Sequence, residues 1–428
     1  MEIRPFRGWR YCVEAGGDIS AVLAPPFDTL SDQDKRELLA RSERNIVAVD
    51  LPHVPPIEAG PEEAYRQAAQ RLNQWKSSGV LCQEQRPALY AYQQSFRWAG
   101  RSRTRRAMLC GVRITPLGQA VIPHERIFAG PTADRLKLTQ HTKTQLSPIF
   151  GFFHDLGGQA MDLLFAAAGQ PVARGQLRDV PGTLWAVTEQ GVINEIASLL
   201  RDVPVFIADG HHRYTTALSY RDGLRQAGRL DDAHEANFAL FALVARDDPG
   251  LVVLPTHRIV RGLRASFTVE RLIARCPQFA WQRCSVEDAD LTNSEAFLRR
   301  YGRGAMAFID RNPAEVWIVR LTDPAAMAKA APDQQEIWRQ LDVAVLHKII
   351  IDAALEPWRT KDLFIEYTPE GPAVLAACNS GRAQLGICLQ ATPLEAVEAI
   401  ARAGASMPNK STYFYPKPAT GMVLKGLE

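Results

Sequence analysis

The most reactive stretch of the chain is Ile207-Ala208-Asp209-Gly210-His211-His212-Arg213-Tyr214, which sets a carboxylate, two imidazoles and a guanidinium around a single glycine. Glycine lets the backbone turn tightly and approach a ligand closely. The apolar run Pro204 to Ala208 precedes the motif, and helical composition from Tyr214 to Ala227 follows it. The turn is therefore placed at a helix N-terminus, where free N–H groups and the positive end of the helix dipole converge. Such a place suits a phosphate group, with Arg213 as a forked donor and Asp209 able to hold a metal or take a proton. Asp209 and His211 are assigned to catalysis, and Gly210, His212 and Arg213 to phosphate binding. The plainer alternative has the two histidines capping the helix, with one imidazole in the core. Adjacent histidines diverge rather than sharing a helix face, so magnesium carried in by a phosphate ligand and touching Asp209 is favoured over a protein-caged zinc ion.

A second cluster begins at Pro123-His124-Glu125-Arg126, directly after the apolar Ala120-Val121-Ile122, and continues through Gly130-Pro131-Thr132-Ala133-Asp134-Arg135-Leu136-Lys137 to Leu146-Ser147-Pro148. It sits at the end of an expected strand. Glu125 is the candidate general base, with His124 beside it; Arg126 and Arg135 are candidate phosphate ligands, although Arg135 and Lys137 could equally form a solvated face. The third cluster, Met407 to Pro418, offers Lys410, Ser411 and Lys417 as anion contacts. Gly404 and Lys410-Ser411 have the offsets of a Walker A loop, but Asn409 replaces its second glycine and the following Thr412-Tyr-Phe-Tyr-Pro is β-rich and stopped by proline. A P-loop must open a helix, so that reading is rejected. Asp28, after the Pro25-Pro26 turn, is a weaker site candidate.

The elements that must hold these clusters follow from pattern. Ser31 is placed as the N-cap of a helix through Arg41. Asn45 to Pro52 reads as a short buried strand, and Ala64, Ala68, Leu72 and Trp75 mark one helix face closed by Gly79. Segments 88–96 and 106–113 form a hairpin. Further helices are expected at 161–168, 193–200, 335–355 and 394–403, with strands at 184–187, 238–245, 305–310 and 315–321. Helices and short strands in irregular order favour an α+β fold of mixed sheets with flanking helices. The Gly/Ala-rich stretch 157–174 suggests three modules, 1–156, 157–260 and 261–428.

The chain has 428 residues, 46% hydrophobic and 23% charged, enough for two or three domains with real cores. Fifty Lys and Arg against 47 Asp and Glu leave a charge of +3, which argues against binding extended nucleic acid. The N-terminal residues lack a signal-peptide pattern and no apolar run of membrane-spanning length occurs, so a cytoplasmic protein without membrane contact is expected. Seven scattered cysteines without a CxxC pair read as small buried hydrophobes.

The motifs APPFD, HERIFAGPTADR, LSPIF, ADGHHRYTTAL and MPNKSTYFYPKPATG, in this order, resemble those of the bacterial and archaeal family known as domain of unknown function 1015, across nearly the whole chain. Phe27 and Asn409 stand where other members are expected to carry Tyr and Pro or Gln. The strand-DGHHR-helix element is also similar to the phosphate-binding element of the ParB/sulfiredoxin superfamily, which includes nucleotide-dependent free-serine kinases. That resemblance implies a ParB/sulfiredoxin-like element in which Asp209, His211, His212 and Arg213 hold nucleotide phosphates. It supplies no counterpart for the catalytic glutamate, so Glu125 rests on chemistry alone. The expectation is a phosphotransferase that uses ATP or ADP with Mg2+ and acts on a small hydroxylated metabolite, serine-like in the first instance. A nucleotide-responsive switch and a phosphoester or nucleotide hydrolase are the alternatives.

Overall fold

A computed structural model describes residues 1–56, 58–125, 129–311, 313 and 315–428. The chain divides into two compact units, one formed by Met1–Val252 with Pro416–Glu428 and the other by Val253–Tyr415. Three modules were expected. The boundary placed at 157 instead falls within one sheet, because strands on both sides of it, Ile149–Phe153 and Ala173–Leu177, belong to the same nine-stranded array. The Gly/Ala-rich composition that suggested a linker is a surface helix, Gln159–Ala166, packed by Ala160, Met161 and Leu164 onto the core.

In the first unit the strand order is Val121–Ile122, Val205–Asp209, Ile149–Phe153, Phe238–Ala245, Arg101–Arg113, Leu89–Trp98, Val180–Val187 and Ala173–Leu177, with Ile3–Arg4 beside Arg101–Arg113. Val205–Asp209 runs parallel to Val121–Ile122, and Phe238–Ala245 parallel to Ile149–Phe153; the remaining pairs are antiparallel. The expected hairpin is present and longer than its apolar pattern, extending to the pair Trp98 and Arg101. Its two-residue turn has positive φ at both Ala99 and Gly100, the geometry that matches the twist of paired strands. Phe238–Ala245 is buried on both faces, which explains its unbroken apolar sequence.

The helix Asp32–Arg41 carries the capping box at Ser31 and Asp34. Helix Glu62–Ser77 buries Tyr65, Ala68, Leu72 and Trp75. The segment 45–52 departs from expectation: Val47–Asp50 is one helical turn, not a strand. The Asn45 side chain accepts a hydrogen bond from the Val47 N–H and donates to the Ala21 and Leu23 carbonyls, so a local side-chain turn overrides the β preference of the valines.

The second unit is built on an antiparallel six-stranded sheet ordered Phe279–Ser285, Glu315–Leu321, Met306–Asp310, Leu385–Cys388, His257–Leu263 and Arg359–Thr368. The long helix expected over 335–355 is broken. Glu336–Arg339 and Asp342–Val345 are separate turns with an extended Leu341 between them, and Leu346–Ala354 winds as a π-helix. Trp338 helps fix the break by donating its indole N–H to the Ser406 carbonyl at 3.0 Å.

All seven cysteines are unpaired thiols. Cys110, Cys276, Cys378 and Cys388 are buried as expected, whereas Cys12 is exposed and Cys82 and Cys284 are half-buried. Among the described residues no helix is long and apolar enough to cross a membrane.

Candidate active site

The parallel strands Val121–Ile122 and Val205–Asp209 end side by side, so the residues that follow each of them emerge at one edge of the sheet. This carboxyl edge is where open sheets present their loops to ligands. A register shift between Ile207 and Asp209 inserts one extra residue just before the turn, a bulge that re-aims the strand end. Gly210 then adopts φ +95, and a β-carbon there would lie 2.9 Å from Arg213 Nε. Only glycine meets both demands. The helix His211–Gln226 starts at once, with no side chain capping its first turn. Tyr214 pins it by accepting from the Thr115 N–H at 2.9 Å and donating to the Thr115 carbonyl at 2.7 Å.

Asp209 is gripped by two cations. Arg213 Nη2 donates to Oδ2 at 2.5 Å, and Lys417 Nζ donates to Oδ1. The other arm of Arg213 reaches the Pro148 carbonyl, which explains the Leu146-Ser147-Pro148 motif: it opens the neighbouring antiparallel strand at the same edge. Burial by itself would raise the Asp209 pKa, but Lys417 and then Arg213 more than offset it and hold the carboxyl below the ordinary range. Burial would likewise lower the Lys417 pKa; Asp209 and Asp28 reverse that and raise it. Asp28, from the Pro25-Pro26 turn, therefore belongs to the same electrostatic cluster.

The second half of the site is a pair of imidazoles in edge contact. His124 and His211 meet edge to face at 4.7 Å between ring centres, and the His124 backbone N–H donates to His211 Nε2 at 3.2 Å. Accepting at Nε2 leaves the His211 proton on Nδ1, and Glu125 Oε2 lies 3.7 Å from that atom. Burial pushes His124 down to about 4 and, with help from the His124 ring, lowers His211 as well. Both rings are thus neutral near pH 7. His211 is buried, but the Glu125 side chain remains 31% exposed. His212, the next residue, faces Thr132 Oγ1 across 3.3 Å.

The sequence-predicted residues divide accordingly. Glu125, His124, Asp209, Gly210, His211, His212, Arg213 and Lys417 lie in one unit and meet through the contacts just described. Arg126 lies outside the described residues. Arg135 is buried, pairs with Asp134, lies 3.5 Å from Asp50, and sits over the Phe27 ring at 4.0 Å. It shares a cavity of about 50 Å³ with Arg213, Asp50 and Ser147. Lys137 is an exposed partner of Glu62. Lys410 and Ser411 belong to the other unit, Val253–Tyr415. Asp50 was missed: a carboxylate inside the apolar Ile46-Val47-Ala48-Val49-Asp50-Leu51 run was the available signal, because an acid is rarely buried without a partner.

A resident magnesium ion does not fit the donors at Asp209. Each carboxylate oxygen already faces a cation, and among the described residues no group of three or more His, Cys, Asp or Glu could hold a metal. The metal role expected for Asp209 is therefore withdrawn, and so is its role as a proton acceptor, since two cations favour its ionised form.

None of the curated proteins matches the chain. Among solved structures it is similar to a substituted free serine kinase in complex with AMP, at 10% identity and a TM-score of 0.36, covering 72% of this chain and 87% of that one. It is also similar to a conserved hypothetical protein from Pyrococcus furiosus (14% identity, TM-score 0.34, 74% and 93% covered). A C-terminally truncated SbnI from Staphylococcus aureus gives 9% identity and a TM-score of 0.34, with 73% and 85% covered. Likeness at this level carries no argument about chemistry. The family match is of another order: residues 3–344 fit the family described as protein of unknown function (DUF1015), taking in the whole nine-stranded sheet, four of the six strands of the second sheet and the Asp209 to Arg213 turn, and the chain belongs to that family.

Proposed function

We propose that the first unit is a nucleotide-dependent phosphotransferase site for a small hydroxylated metabolite, with a serine-like amino acid as the first candidate. The observation that carries this reading is the division of one uncapped helix N-terminus into two chemically distinct sides. Lys417 and Arg213 stand on one side, clamped on Asp209; Glu125 stands on the other, beside the Nδ1–H of a neutral His211. The first side neutralises the phosphoryl oxygens of ATP or ADP, together with the backbone N–H groups of the helix's first turn. Glu125 accepts the proton of the acceptor hydroxyl as its oxygen attacks the terminal phosphorus. The bond to the bridging oxygen breaks, and the nucleotide leaves one phosphate shorter. His211 does not shuttle the proton; it orients the carboxylate. Asp209 acts by fixing the two cations before substrate arrives. Any magnesium in the assay accompanies the nucleotide, and no step is assigned to it.

The test is phosphorus NMR of the full chain with magnesium, ATP or ADP and a pool of hydroxyl-bearing amino acids and small alcohols, beside Glu125→Gln. A new phosphate-ester resonance, absent from the variant, is expected. Release of inorganic phosphate without any acceptor would turn the reading into hydrolysis, which the partial exposure of Glu125 makes the second choice. Shifted nucleotide resonances with no turnover would reject the transfer reading and leave a nucleotide-binding switch.

A further inference from the structure

The second unit, Val253–Tyr415, has a polar centre of its own. Arg258, on the strand His257–Leu263, is only 1% exposed. Its Nη atoms donate to the carbonyls of Thr256 and, at 3.1 Å, Lys410, and its guanidinium lies 5.2 Å from the Tyr367 ring centre. Among the described residues no carboxylate is paired with it, and neither its Nε nor the Thr256 hydroxyl has a hydrogen-bond partner. Burial lowers its pKa only to about 10, which leaves the charge in place at pH 7. A buried charge without a counter-ion and a buried hydroxyl without a partner are both costly features for a fold to keep. Lys410, whose carbonyl holds one arm of Arg258, is among the few non-glycine residues with positive φ, at +56.

Both unsatisfied atoms belong to residues that line one cavity. It has a volume of about 40 Å³ and also takes in Thr392 and Ser411. Arg303, Gln340 and Asp342 line this chamber and also a larger one of about 590 Å³. Arg320 and Arg339 stand on the larger chamber, with Leu321, Met327 and Val345 supplying apolar wall. That volume is within the usual range of small-molecule sites, roughly 300–1,000 Å³.

We infer that these adjoining chambers, which share Arg303, Gln340 and Asp342, bind a small organic anion, its carboxylate or phosphate head entering the Arg258 chamber and its body filling the larger, arginine-lined one. The head meets Arg258 Nε and the Thr256 hydroxyl, and it supplies the counter-charge that no carboxylate among the described residues gives Arg258. This site stands independently of the phosphotransfer reading, since every residue named here lies within 253–415.

The test is titration calorimetry of the full chain with inorganic phosphate, phenyl phosphate and benzoate. At least one of the two organic anions should bind, and more tightly than inorganic phosphate, because only they carry a body for the larger chamber. Thr256→Val keeps side-chain volume and removes a hydroxyl that has no internal partner, so the fold survives and the affinity should fall about tenfold. Arg303→Ala should weaken binding several-fold, and Arg213→Ala in the first unit should leave it unchanged. Absence of binding by both organic anions at millimolar concentration would overturn the inference, as would affinity indifferent to Thr256→Val or lost with Arg213→Ala. Comparing phenyl phosphate with benzoate identifies which head the Arg258 chamber takes.

Discussion

The polar centres of the two units treat their cations in opposite ways. In the first, Lys417 and Arg213 both face Asp209, so the site is electrically organised before any ligand arrives. In the second, Arg258 faces carbonyls and a tyrosine ring but, among the described residues, no carboxylate. An internal carboxylate aligns its cations at little reorganisation cost when a phosphoryl group appears, which serves transition-state stabilisation. An unneutralised guanidinium instead keeps its attraction for the ligand, which serves retention of a bound anion.

The comparison can be broken most severely at Arg213. Arg213→Ala should reduce turnover by about a thousandfold, the lower end of what a transition-state arginine contributes, while circular dichroism and thermal melting show a folded chain. Retained turnover in a folded variant would remove Arg213 from the chemistry. Lys417→Met should destabilise the first unit by about 3 kcal/mol in urea titration, because Asp209 is left with one cation instead of two. The double variant Asp209→Asn, Lys417→Met should recover only part of that loss, since the carboxylate is no longer under-compensated but Arg213 is left on the Pro148 carbonyl without its ion pair.

Acid should act on the first unit through His124. Its folded pKa is depressed, so the stability it contributes is fully present above the unfolded value of 6.5 and is lost as pH falls toward about 4. A shift of that size corresponds to about 3 kcal/mol at most for a buried ring, and His211, also lowered, adds in the same direction. The melting temperature should drop between these pH values, and His124→Asn should flatten the drop. The smallest effect belongs to the second unit. In the absence of added anion, Arg258→Met should cost about 1 kcal/mol or less, because two carbonyl hydrogen bonds are lost but no carboxylate is orphaned. A loss as large as that of Lys417→Met would erase the contrast between the units.

The strand, glycine and helix at Asp209 to Arg213 were legible in sequence because apolar run, turn residue and helical composition follow one another without a gap. The neighbouring strand of His124 and Glu125 was legible for the same reason. The pairing of the two strands was not, since parallel neighbours leave no local trace of each other. Lys417 could be seen as a cation but not as the partner of Asp209, 208 positions away. Asp50 was hidden by its valines, which read as a strand until Asn45 is seen turning the backbone. The tail motif looked like one cluster, yet Lys410 and Lys417 fall in different units, and Tyr413-Phe414-Tyr415-Pro416 shows no change of composition at the division. The division at 157 is absent because a glycine-rich segment reports local backbone freedom, not the sheet to which its flanks return.

Because residues 253–415 are inserted between Val252 and Pro416, the order of synthesis has a consequence for the first unit. All nine strands of its sheet precede Val252, so they are made before Lys417 exists. At roughly 5–20 residues per second, the 163 intervening residues (415 − 252) take on the order of ten to thirty seconds to translate. During that interval a nascent first unit holds Asp209 with Arg213 alone. The Asp209 cluster is therefore incomplete on the ribosome and gains its second cation only after the second unit has been made.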